Sequence, residues 1–224
     1  MTATIPTPTT LLVHGLHQNP WFMQPLANKL TAMGFVTHTF RYYSLRDNIK
    51  THAIRLNQAL LEQHHSDEPI HLVAHSLGGL VIRQFLADYP DWHAKGRIGR
   101  IVTLGTPHMG SICADYTKRI LPFLVGGSYA NALDGNCPPL DSDVRLGVIA
   151  GNKSLGLGQP ILAWHSKRNP NIDHAHDGTV YVFETKLPNA SEHLILPVTH
   201  TGLLTEQTTA VQTAHFLNHG RFCR

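Results

Sequence analysis

Charge is the first thing this sequence is short of. Only 15% of its 224 residues are Asp, Glu, Lys or Arg, and the net charge is +3. The 18 basic residues are dispersed, so no basic stripe is formed and no nucleic-acid partner is expected. No apolar run is long enough to cross a bilayer, which excludes a transmembrane segment. Met1–Pro8 has neither a basic start nor a long apolar stretch, so no secretory leader is expected there. Three cysteines leave at least one thiol unpaired, and Cys113 and Cys137 are the two that could bridge in an oxidising compartment. The plain expectation is a cytoplasmic protein. Internal repeats and low-complexity tracts are lacking too. What remains, with 42% apolar residues, suffices for one sizeable core, and the expected organisation is a single domain over residues 1–224.

Apolar runs and helical stretches alternate along the chain. A strand at Leu11–Val13 precedes a helix from Pro20 to Met33, with Trp21, Leu26, Leu30 and Met33 on its inner face and Gly34 at its end. A strand at Phe35–Tyr43 leads to a helix over Leu45–His64, with Ile49, Ala53, Leu56 and Leu60 inward and His64-His65 at its polar end. Pro69–Ala74 reads as a buried strand, and Leu77–Tyr89 as a helix with Leu80, Val81, Gln84, Phe85 and Ala87 inside. Further strands are expected at Ile98–Leu104, Val144–Gly151 and His193–Val198. A closing helix over Glu206–Asn218 turns Val211, Ala214, Phe216 and Leu217 inward. This alternation calls for an α/β fold, a mostly parallel sheet of about six strands with helices on both faces. Two stretches break the rhythm. Residues 109–143 read either as a small cap near the site or as a plain connection with one helix, and Gly151–Asp177 reads as a mobile loop.

The chemistry centres on Ala74-His75-Ser76-Leu77-Gly78-Gly79, between a strand and a helix. A serine at such a bend has its hydroxyl raised above the sheet edge, and the N–H of Leu77 points at whatever the oxygen attacks. Small residues on either side let the backbones close in. Ala74 stands where a glycine is usual, adding one methyl group. A second oxyanion donor is expected from the turn after the first strand, Val13-His14-Gly15-Leu16-His17, from the N–H of Leu16 or of His17, with Leu16 preferred.

His14-Gly15, then the Ser76 hexapeptide, then Gly105-Thr106-Pro107-His108-Met109-Gly110-Ser111 resemble, in that order, the lipase/esterase branch of the α/β-hydrolase superfamily, and the elbow is similar to that of small bacterial lipases. The resemblance runs from about Thr10 to the end of the chain. It implies a compact α/β-hydrolase fold that lacks the first hairpin, and a chain order of serine, acid, histidine.

For the acid, the candidates are Asp173 and Asp177. Asp177 is preferred because Asp177-Gly178-Thr179-Val180 resembles the turn that carries the acid in related lipases. For the base, His200 follows the last strand, whereas His193 lies at its other end and His215 and His219 belong to the closing helix. With 17 histidines, most must have ordinary roles: His14 and His108 as braces of the site, His75 packed under the elbow. His17 either lines the pocket mouth or caps the next helix. His17 and Met109 are the expected substrate contacts. Asp173, His174, His176 and Asp177 crowd one loop, but their spacing is not that of a helix-borne metal site, so neither a metal nor another cofactor is expected.

The expected activity is hydrolysis of a small-molecule or lipid carboxylic ester through an acyl-enzyme on Ser76. An acyltransferase or thioesterase would use the same residues, and a non-catalytic binding module of the same fold is the alternative of another class.

Overall fold

Residues 9–63 and 68–223 are described by the structure, a computed structural model. The first eight residues and His64-His65, read above as a leaderless start and a polar helix end, lie outside them.

Strand β1 (Thr9–Val13) is followed by helix α1 (Pro20–Ala32), β2 (Val36–Phe40), α2 (Ile49–Gln63), β3 (Ile70–His75) and α3 (Leu77–Asp88). A single-turn helix α4 (Asp91–Ala94), β4 (Ile98–Leu104) and α5 (Ile112–Ile120) come next, then β5 (Leu146–Gly151) and α6 (Gln159–Arg168). The chain closes with β6 (Glu192–Leu196), a short α7 (Gly202–Thr205) and α8 (Gln207–His219). The six strands form one sheet in the order β2-β1-β3-β4-β5-β6, and every neighbouring pair runs parallel. All strand C-termini therefore lie along one edge, where loops carry function in sheets of this kind.

Burial follows position in the sheet. The inner strands β3 and β5 are buried at every residue, as strands covered on both faces must be. The edge strands β2 and β6 alternate between exposed and half-buried residues along most of their length. Alternation along β1 divides two cores. Leu11 and Val13 join the cluster formed with α2 and α3, and Leu12 joins the one beneath α1 and α8.

Three inward assignments fall on the wrong side of their helices. Trp21 is 84% exposed, because the buried stripe of α1 is Met23, Leu26, Ala27 and Leu30, and Trp21 stands two residues, about 200° of helical turn, from Met23. Ala87 is exposed for the same reason relative to Phe85, and Val211 lies outside the Ala210, Thr213, Ala214 and Leu217 stripe of α8. The stretch 151–177 is not simply a loop, since it holds the ten-residue α6.

Residues 109–143 begin with α5, capped by the Ser111 side chain accepting from the Ala114 N–H. Short 3₁₀ turns at Pro122–Leu124 and Gly126–Ser128 follow. Two anchors hold the stretch. The Gly127 N–H donates to Leu45 O, and Gly126 (φ +55) has no room for a side chain against that carbonyl. Arg83, buried on α3, donates to the carbonyls of His108, Cys137 and Pro138. Cys113 and Cys137 do not pair. Both thiols are free, Cys137 lies against Leu80 O, and burial pushes each up to about 11. Among the described residues no helix is long and apolar enough to cross a membrane.

Gly78 starts α3 so close to β1 that a Cβ there would sit 2.5 Å from Val13 O and 2.7 Å from His14 O, both backbone atoms. Gly78→Ala should therefore cost about 1–3 kcal/mol, seen as a lower chemical-denaturation midpoint with an unchanged slope. An unaltered midpoint would mean that β1 yields at no cost.

Candidate active site

Ser76 occupies a left-handed backbone conformation (φ +52, ψ −124) between the last residue of β3 and the first of α3. A non-glycine residue holds such a conformation only when its surroundings over-determine it. Here the Ser76 N–H donates to Leu104 O, and its carbonyl accepts from the Gly79 N–H and from Thr106 Oγ1. Gly79 is obligatory for that contact, since a Cβ would lie 2.3 Å from Thr106 Oγ1. Ala74 is fully buried without displacing the turn. The result is a half-buried serine at the C-terminal sheet edge.

The first amides of a helix lack intrahelical acceptors and carry a partial positive charge. Leu77 is the first residue of α3, and among the described residues its N–H donates to nothing. The same holds for the N–H of Leu16. The N–H of His17, the other candidate, is bound to Ser44 Oγ at 3.2 Å. His17 is exposed at φ +59, and the cap of α1 is Asn19, whose side chain accepts from the Trp21 N–H.

Asp177 and His200 meet directly. The His200 Nδ1–H donates to Asp177 Oδ2 at 2.7 Å, and the His200 backbone N–H donates to Asp177 O at 2.8 Å. Asp177 is 1% exposed, and its Oδ1 accepts from the Thr179 and Val180 N–H groups. That turn fixes the carboxylate, and the carboxylate fixes the tautomer that leaves His200 Nε2 as the basic nitrogen. Gly105 (φ +58) makes space for the pair, since a Cβ there would stand 3.0 Å from His200 Nδ1 and 3.1 Å from Asp177 Oδ2. The pair adjoins the serine turn through His75, whose ring lies 4.5 Å from that of His200. Among the described residues, neither Ser76 Oγ nor His200 Nε2 has a hydrogen-bond partner.

His75 does more than pack under the elbow. Its Nε2 lies 3.0 Å from His200 O and its Nδ1 3.0 Å from Gln18 Oε1. His14 and His108 brace the site as expected. His14 stacks on Tyr42 and bonds Gly15 O, while His108 bonds Thr103 Oγ1 and lies under Arg83. Met109 stands 59% exposed at the start of the loop leading to α5. Asp173 is an exposed turn residue accepting from the Ala175 N–H. The crowded loop does not converge on a metal, since Asp177 is committed to His200 and His176 Nδ1 accepts from the Gly178 N–H. Among the described residues, no group of three His, Cys, Asp or Glu side chains is arranged to hold one.

Two residues here escaped the sequence reading. Gln18 binds the Gly15 N–H at 2.7 Å, closing the turn after β1. Glu184 is buried and accepts from the Ile112 and Tyr181 N–H groups, tying the start of α5 to the chain beyond Asp177. Its signal was a lone carboxylate after the apolar run Val180-Tyr181-Val182-Phe183. Burial, with Asp177 adding to it, pushes the Glu184 carboxyl up to about 8. A cavity of about 560 Å³ lined by Glu192, His215, Arg221, Phe222 and Cys223 lies at the start of β6, the sheet edge opposite Ser76. Its place in the topology separates it from this chemistry.

The family described as the alpha/beta hydrolase fold matches residues 37–144. Among solved structures, the mature lipase BlEst2 of Bacillus licheniformis is 20% identical with a TM-score of 0.76, over 98% of this chain and 94% of that one. A metagenomic carboxyl esterase is 18% identical with a TM-score of 0.68, over 88% of this chain and 65% of that one. The thioesterase domain of the curacin biosynthetic pathway is 13% identical with a TM-score of 0.53, over 95% and 91%. None of the curated proteins matches the sequence. The chain thus has the alpha/beta hydrolase fold that the resemblance implied, and lipases and esterases are among its structural neighbours.

The buried ionisable groups set how stability responds to pH. Burial lowers His14, His75 and His108 and takes His52 and His71 to about 4. These histidines bind fewer protons folded than unfolded. Their stabilisation is complete above about pH 6.5 and is lost as pH falls towards 4. Glu184 acts in the opposite sense: its contribution is complete below pH 4.5 and is lost as pH rises through about 8. Thermal melts should peak near pH 6.5 and decline on both sides, with Glu184→Gln flattening only the alkaline limb. An alkaline limb as steep in the variant as in the parent would contradict this assignment.

Proposed function

We propose that this protein is a serine hydrolase that cleaves carboxylic esters through an acyl-enzyme on Ser76. The observation that carries the reading is the 2.7 Å contact of Asp177 with His200 beside the left-handed serine turn. His200 Nε2 removes the Ser76 proton as Oγ adds to the ester carbonyl. The oxyanion so formed accepts from the N–H groups of Leu16 and Leu77, neither of which has another acceptor among the described residues. His200 then passes its proton to the departing alkoxide, and the acyl group stays on Ser76. Water, deprotonated by His200, attacks the acyl-enzyme, and the carboxylic acid leaves as Oγ recovers the proton. Asp177 holds the imidazole tautomer and stabilises its charged form.

His17 and Met109, both exposed at the rim, are the proposed substrate contacts. Residues 109–143 act as a cap on a single domain, and a small or lipid ester is the substrate class. The unpaired Cys113 and Cys137 support a reducing compartment, the cytoplasm. Acyl transfer or thioester cleavage would run through the same groups and differ only in the acceptor or leaving atom.

An active-site fluorophosphonate should label the protein, and Ser76→Ala should abolish labelling while leaving the melting temperature within a few degrees. Labelling that persists in Ser76→Ala would move the nucleophile elsewhere. Asp177→Asn should lower kcat on p-nitrophenyl esters on the order of 10⁴-fold, with Asp173→Asn unchanged. The reverse ranking would reassign the acid, and a wild-type protein inert to both the label and the esters would favour a binding module.

A further inference from the structure

His75 is the residue before the serine, 1% exposed, and both its ring nitrogens face acceptors. On one side Nε2 lies 3.0 Å from the backbone carbonyl of His200, which can only accept. On the other, Nδ1 lies 3.0 Å from Gln18 Oε1. The identity of that amide oxygen is fixed independently, because it also receives the Gly15 N–H at 2.7 Å, which a nitrogen could not do. A neutral imidazole has one N–H and can serve only one of these acceptors at a time. The charged ring would serve both. It is opposed by burial, by the His200 ring at 4.5 Å and by His14 at the end of β1.

We infer that His75 is a positioning residue whose single ring proton is shared between two loops, the Gly15–Gln18 turn that carries one oxyanion donor and the loop that carries the base. With the proton on Nε2, the His200 backbone is held and the imidazole stays aligned with Asp177. With the proton on Nδ1, Gln18 is held and so is the Gly15 amide that precedes Leu16. The two halves of the site are thereby coupled through one side chain that touches no substrate. A ring that stayed charged would set a second cation beside His200 when that residue takes the serine proton, so neutrality of His75 serves the reaction. The inference rests on the serine-hydrolase reading above.

Three variants separate the two contacts. His75→Gln reaches only the Nε2 position and keeps a donor to His200 O. His75→Asn reaches only the Nδ1 position and keeps a donor to Gln18. Gln18→Leu, on a part-exposed turn, removes the acceptor without touching the His75 side chain. Each should lower kcat about 10–100-fold with KM little changed, the scale of losing a group that orients another. His75→Asn should also shift the acid limb of the kcat/KM profile to lower pH, because a loosened His200 pairs less well with Asp177. His75→Gln and Gln18→Leu should leave that limb in place. Nitrogen-15 NMR of the wild type at pH 7 should show His75 neutral, with both nitrogens between the protonated and unprotonated shifts. A charged His75 ring, or wild-type kcat and pH profile in both His75→Asn and Gln18→Leu, would overturn the inference. Fluorophosphonate labelling of wild type, and its absence in Ser76→Ala, runs alongside. If that control fails, the serine-hydrolase reading falls and takes this one with it. If the control holds and the variants keep full rate, the shared proton alone is refuted.

Discussion

The backbone of Ser76 is the constraint on which the rest of this molecule turns. A serine at φ +52 costs on the order of 1–3 kcal/mol relative to an ordinary conformation. It is held there from three directions: the end of β4 through Leu104 O, the following turn through Thr106, and its own helix through Gly79. Each hold demands a small or specific neighbour. Gly78 admits the carbonyls of Val13 and His14, and Gly79 admits Thr106. Relaxing the serine would mean moving two central strands, which the buried sheet resists.

The proposed acid and base are secured differently, by redundancy. Asp177 holds His200 through side chain and backbone at once, and the carboxylate is itself fixed by two amides of its own turn. Gly105 and Gly151 are the vacancies that let this pair sit against the sheet, since a Cβ at Gly151 would lie 2.8 Å from Asp177 Cβ. Both mechanisms depend on the parallel order of the strands, which brings the ends of β1, β3, β4, β5 and β6 to one rim.

What could be read from the sequence was local. A strand, a small-residue turn and a helix are written in consecutive residues, so the strands and the Ser76 bend were legible, as was the Asp-Gly turn that presents Asp177. The non-local parts were not. The phase of α1 is set by which residues meet β1, and no propensity distinguishes Trp21 from Met23. Helix α6 was hidden because Gly, Asn and His surround it and only Leu162 of its residues is buried. Gln18 and Glu184 owe their roles to groups they meet through folding, Gln18 to the His75 ring 57 residues away and Glu184 to a backbone amide 72 residues away. Cys113 and Cys137 looked able to bridge by their positions around one insert, but their thiols face Gly158 and Leu80 instead.

Arg83 points to something about how such a scaffold can diversify. It lies on the helix that starts at the serine and grips main-chain oxygens at 108, 137 and 138, with no carboxylate needed in return. A grip on main-chain atoms is indifferent to side-chain identity. The intervening chain can be lengthened, shortened or rewritten, and the serine helix still meets the same two pegs. Novel specificity can therefore be grafted between them while the proposed reactive centre is left undisturbed.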